Sequence, residues 1–173
     1  EDYLAVNTIL MQFIVLAAFF LDAYAFSTEG VVGFAVGRKN KKTFLLAVSN
    51  SMQLSFFTAL VISIFYLIFF KQIVNIITDI DILRFISYKH AIWIIIIPPI
   101  ASFCYQLDGI FIGASQTKEI RNGMIVSVTF FIIISIYLTK YFGNHGLWLS
   151  FLLFTALRSL TLKYFFNKIL KKF

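Results

Sequence analysis

Asp108 stands in the run CYQLDGIFIGA, a carboxylic acid among residues that otherwise belong in hydrocarbon. Asp22, in FFLDAYAF, and Glu29, in FSTEGVV, stand in similar company. A charged side chain at the centre of a membrane helix costs about 2.5–3.5 kcal/mol on insertion scales, and such acids mark ion paths and substrate sites. The chemistry open to them is cation binding: burial disfavours the charged carboxylate, and a bound cation pulls the other way. Tyr105 lies one helical turn before Asp108, on the same face, and is a candidate hydrogen-bond partner for the carboxylate or for a ligand. Asn50 and Gln53 belong to a polar opening of another apolar segment, SNSMQLS. Ligand contact and helix–helix hydrogen bonding are both open for them. Asn50 becomes a second candidate partner of Asp108 if its segment packs there, with Gly109 and Gly113 permitting close approach.

These groups need a membrane around them, and the composition supplies it. The 173 residues are 60% hydrophobic and 13% charged, against about 45–50% and about 25% in soluble domains. Mean hydropathy is +0.89. The net charge of +7 suggests nucleic acid at first sight. The basic residues sit instead at the ends of apolar segments, so no nucleic-acid partner is expected. The lone Cys104 has no partner for an intrachain disulfide, and its neighbours are not metal ligands. No cofactor is expected. The sequence holds no phosphate-cradling glycine loop, no paired ligand histidines and no nucleophile–base arrangement, so an enzyme is not expected either.

Five segments are long and apolar enough to cross a bilayer, which takes about 20 residues: 7–36, 45–70, 91–115, 124–139 and 147–166. In lipid only a helix or a closed barrel satisfies its own backbone, so an all-α integral membrane fold with five spans follows. Gly33 with Gly37, and Gly109 with Gly113, form small-xxx-small pairs suited to close helix contact. Ser51, Ser55 and Thr58 share one helical face. The stretch KQIVNIITDIDILRFISYKH is expected to hold a short interfacial helix. Pro98-Pro99 mark a kink, a hinge or a helix boundary. Arg158 is expected to snorkel to the headgroups or to pair with Glu29. Asn144-His145 between two glycines reads as a tight turn, and His90 and His145 both read as loop residues.

Orientation follows from the basic residues. Arg38, Lys39, Lys41 and Lys42, then Lys118 and Arg121, then Lys163, Lys168, Lys171 and Lys172 fall on one side of a five-helix alternation. Lys71, Arg84, Lys89 and Lys140 fall on the other. The richer side, which includes the C-terminus, is expected in the cytoplasm.

The stretches FFLDAYAFSTEGVVGFAVGRKN, LDGIFIGASQTKEIRNGM and GNHGLWLSFLLFTALRSLTL resemble the DinF branch of the MATE (multidrug and toxic compound extrusion) transporters. The resemblance covers all five segments. It implies helices eight to twelve of a twelve-helix protein: residues 1–173 would be a single membrane domain, most of the C-terminal six-helix lobe. The N-terminal lobe and one further helix would be absent, and the missing lobe becomes the expected partner. The implied activity is secondary antiport in a bacterial inner membrane, exporting organic cations or drugs against protons or sodium ions. Asp108 sits at the position of the family's tenth-helix acid in the cation site. Two other readings stand beside it. One is a lipid-linked precursor flippase of the same superfamily, which calls for a more cationic cavity. The other is a membrane fragment that transports nothing without a partner lobe.

Overall fold

Three connections of three residues each divide the chain into long helices. The structure is a computed structural model and describes residues 2–173. Helix α1 spans Asp2–Gly37, α2 Lys41–Ile77, α3 Asp81–Gly113 and α4 Thr117–Leu170. All four are long and apolar enough to cross a membrane. The expected five spans are therefore four continuous helices. The segments at 124–139 and 147–166 are both part of the 54-residue α4. Within α4 the backbone leaves helical geometry at Gly143, with φ 55° and ψ −135°. That conformation is open to glycine and strained for other residues. The two arms of α4 run back along each other: Phe131 meets Phe154, Gly123 meets Thr161, and Glu119 meets Lys168. The turn expected at Gly143–Gly146 is thus so tight that helix resumes at once on both sides. At Gly146 an added Cβ would stand 2.0 Å from the Leu138 carbonyl oxygen, so only glycine lets the arms meet there.

The expected interfacial helix between the second and third segments does not form as a separate element. Helix α2 continues to Ile77 and α3 starts at Asp81. At 1.5 Å per residue, the 37 residues of α2 reach about 55 Å, well past a hydrocarbon core of about 30 Å. Its last turns and the first of α3 belong at the headgroups, which explains the mixed charge. Arg84 secures this corner. Its guanidinium donates to the carbonyls of Thr78 and Asn75 and pairs with Asp79 at 3.0 Å. It thereby satisfies carbonyls that the end of α2 leaves without helical partners. Pro98 and Pro99 lie inside α3, not at its start. Each lacks a backbone donor, and Ser102 Oγ hydrogen-bonds the Pro99 carbonyl at 2.7 Å.

Helix α3 is central and packs against the other three. Two apolar clusters hold the ends of the bundle. One joins Val6, Phe13, Tyr66, Phe70, Ile94 and Trp148; the other joins Val32, Phe44, Phe111, Leu162 and Ile169. The second gathers the α1–α2 connection, the α3–α4 connection and the C-terminus at one end. Phe44 touches Phe173, and Lys172 Nζ donates to the Ala114 carbonyl at 2.6 Å. The basic-rich segments therefore share one end of the bundle.

Candidate functional site

Helices α1 and α3 run in parallel, and the residues that bring them together are glycines. A Cβ added to Gly109 would lie 2.4 Å from the Ala25 carbonyl oxygen, and one added to Gly113 would lie 2.4 Å from that of Glu29. The small pair on α3 therefore packs on α1, not on α2. Gly33 takes part from the other side, 3.3 Å from the Gly113 carbonyl, whereas Gly37 faces open space. Across this seam Thr28 Oγ1 donates to Gln106 Oε1 at 3.0 Å in a buried setting. This register brings Asp22 and Asp108, from two helices, to nearly the same depth.

Asp108 has a partner on a third helix. The Arg158 guanidinium on α4 lies 2.6 Å from Asp108 Oδ2, with the two side chains 20% and 18% exposed. Arg158 thus neither pairs with Glu29 nor extends to the bundle end, as the sequence suggested. A charge left unpaired at this depth is costly, and Asp108 supplies its partner. The pair is incompletely satisfied: Asp108 Oδ1 and Arg158 Nε are buried with no hydrogen-bond partner among the described residues. Asp22 and Tyr105 lie within electrostatic reach of the pair. Asp22 itself makes no ion pair among the described residues. Two acids and one base thus lie near one another on three helices, one acid more than the base pairs with.

The remaining candidates lie elsewhere. Glu29 is half-buried and packs by its backbone on Gly113. Asn50 and Gln53 are exposed. They line a groove formed by α2 alone, with Leu54, Phe56, Phe57 and Leu60, and Gln53 bonds Ser49 of the same helix. Asn50 is therefore not a partner of Asp108. On the same helix Thr58 does bridge to α1, where its hydroxyl meets the Tyr24 hydroxyl at 2.9 Å.

One cleft borders the ion pair, and a second lies toward the far end of the bundle. One, of about 500 Å³, lies between α2, α3 and α4 and is lined by Met52, Phe103, Leu107, Ser159, Lys163 and Phe166. The other, of about 420 Å³, lies between the start of α1 and α4 and includes Asn7, Gln12, Phe131 and Trp148. Both fall in the range of small-molecule sites. A smaller void of about 20 Å³ borders Tyr105, Pro98 and Thr155, room for about one water.

The sequence also concealed a polar cluster at the bundle end opposite the basic one. Asn7 and Asn144 exchange reciprocal amide hydrogen bonds at 2.8 and 2.9 Å, and Trp148 Nε1 donates to Asn7 Oδ1 at 2.9 Å. His90 is buried inside α3, not on a loop, and stacks on His145 with centroids 4.1 Å apart. Trp93 Nε1 donates to His145 Nδ1 at 3.0 Å. The glycine-framed Asn144-His145 was the available signal. Its partners, distant in sequence, were not legible.

The MatE family model matches residues 1–139. The chain is 34% identical over 162 residues to the DNA damage-inducible protein F of Escherichia coli (strain K12), an alignment that covers 94% of this chain and 35% of that protein. The chain thus spans about a third of that relative's length. No solved structure matches.

Proposed function

The chain belongs to the MatE family, and on that premise we propose that it forms most of the C-terminal lobe of a secondary transporter that exports organic cations in exchange for protons or sodium ions. The observation that carries this reading is the gathering of Asp108, Asp22 and Arg158 from three helices, with Arg158 paired to Asp108 and Asp22 without an ion pair among the described residues. An acid in a membrane interior that is neither fully paired nor fully solvated binds a cation readily and releases it readily. The cleft beside the pair is mostly apolar, which suits a hydrophobic organic cation. A flippase for anionic lipid-linked precursors would need a free cation in the same place. Arg158 is already engaged by Asp108, which favours the cation reading.

Transport sites in such folds lie near the midplane, and alternating access moves one half of the protein against the other. One lobe supplies one wall. The test is efflux from vesicles holding these residues with and without the N-terminal lobe. Residues 1–173 alone should insert and not transport, and supplying the other lobe should restore ion-driven efflux. In the protein with both lobes, Asp108→Asn should abolish coupled efflux, Asp22→Asn should weaken it less, and Glu29→Gln least. Wild-type efflux by Asp108→Asn under both proton and sodium gradients would refute the reading. The basic end is proposed to face the cytoplasm of a bacterial inner membrane. Cysteines introduced at Asn40 and Asn167 should then resist an impermeant thiol reagent in intact cells, while one at Asn144 reacts.

A further inference from the structure

We propose that Arg158 is the resident cation of the Asp108 site: its guanidinium occupies the carboxylate that the coupling ion must reach, and loading the ion releases α4 from α3. The proposal rests on the transport reading above and adds the step by which ion binding becomes helix movement.

Three observations lead to it. The contact is short and spans two helices, 2.6 Å between Arg158 and Asp108 Oδ2. It is also unfinished. Asp108 Oδ1 and Arg158 Nε are both buried without partners, whereas an ion pair built only for stability has its remaining polar atoms satisfied. Finally, the two seams of α3 differ. Against α1 it meets backbone on backbone through Gly109 and Gly113. Against the second arm of α4, at this depth, the ion pair is flanked by the 500 Å³ cleft, which Leu107 and Ser159 line from the two sides. When a proton or sodium ion neutralises Asp108, the guanidinium loses its partner in a medium where an unpaired charge is costly. Arg158 then moves toward the remaining carboxylate, Asp22, or toward the open cleft. Either movement takes α4 with it and leaves α1 and α3 together. Arg158 thus acts through Asp108 as a positioning residue.

The chain carries its own reporter. Cys104, its single cysteine, is buried on α3 one turn before Asp108. Its alkylation by a membrane-permeant maleimide would be followed in the protein reconstituted in lipid vesicles. Each rate would be divided by that of the double variant Asp108→Asn/Arg158→Gln at the same pH, which cancels the thiol's ordinary dependence on bulk pH. Wild type should react slowly without sodium at neutral pH. Either sodium or acidification should accelerate it at least about tenfold, about 1.4 kcal/mol of opening. Asp108→Asn and Arg158→Gln should each be fast and indifferent to the ion. Arg158→Lys, which keeps the charge, should restore slow, ion-responsive labelling. If Arg158→Lys behaves as Arg158→Gln, or if neither ion accelerates wild type, the proposal fails. Should a single variant fail to fold, the ion response of wild type and its recovery in Arg158→Lys decide the matter. Ion-responsive labelling without efflux by the protein with both lobes would sink the transport reading and leave the counter-ion role standing. Coupled efflux with labelling that ignores the ion would do the reverse.

Discussion

Helix α3 meets its neighbours in two different ways. Toward α1 it presents Gly109 and Gly113, and backbone rests on backbone, with the Ala25 and Glu29 carbonyls where side chains would otherwise be. Toward the second arm of α4 it presents Asp108, and one ion pair spans the gap. The first contact is made of many small dispersion terms that vanish together if the helices part. The second is concentrated in one charge pair whose strength depends on what else is bound. One seam suits a fixed unit, the other a contact that opens and closes.

The contrast breaks most plainly at Gly109. Gly109→Leu should prevent the bundle from forming, read as loss of a monodisperse folded species in detergent. The obstructing atom is a backbone carbonyl with no rotamer to yield, so the cost should exceed the about 1–3 kcal/mol usual for overpacking. A folded Gly109→Leu protein would mean that the α1–α3 seam is not tight. The next effect belongs to the ion pair. Arg158→Gln should cost about 3 kcal/mol, the low end for stranding one partner of a buried pair, because both side chains keep some exposure. Adding Asp108→Asn should recover part of that loss in thermal melts. Strict additivity of the two single effects would mean that the groups do not interact.

A third comparison sets this midplane pair against the polar cluster at the bundle end. Asn7→Ala leaves Asn144 Nδ2 and Trp148 Nε1 without their acceptor and should cost about 1–3 kcal/mol. It should leave the ion response of Cys104 labelling unchanged, since it fixes the α4 turn and not the Asp108 contact. The smallest effects are expected at Gly37→Ala and Asn50→Ala, whose side-chain positions face open space or lie on the exposed flank of α2. Each should stay within about 0.5 kcal/mol of wild type. A larger loss at Asn50 in the isolated chain would contradict that exposed placement.

The acids were legible because a carboxylate in hydrocarbon is costly wherever its neighbours are, and the sequence alone shows that context at Asp22, Glu29 and Asp108. Small-xxx-small spacing likewise marked a close-packed face on α3. Which helix fills that face was not legible: Gly109 and Gly113 suit any partner backbone, and the choice of α1 depends on how whole helices pack. Arg158 shows the same limit more sharply. Its sequence neighbours allow snorkelling, a pair with Glu29 or a pair with Asp108, and the distance along the chain does not decide among them.

The sequence by itself determined membrane residence, helical backbone and a bundle with one strongly basic end. These depend on local composition and on the backbone's need to satisfy its own hydrogen bonds in lipid. It also determined that Gly143 and Gly146 would break the last apolar stretch, though not that α4 would fold back there with its helices nearly unbroken. Only the tertiary structure decided that Asp108 is held by Arg158, that Asn50 and Gln53 face away from it, and that His90 lies buried against His145. The physical reason is range. Transfer into hydrocarbon and helix formation act on each segment separately, whereas an ion pair of 2.6 Å forms only where the packing of three helices has already fixed which side chains meet.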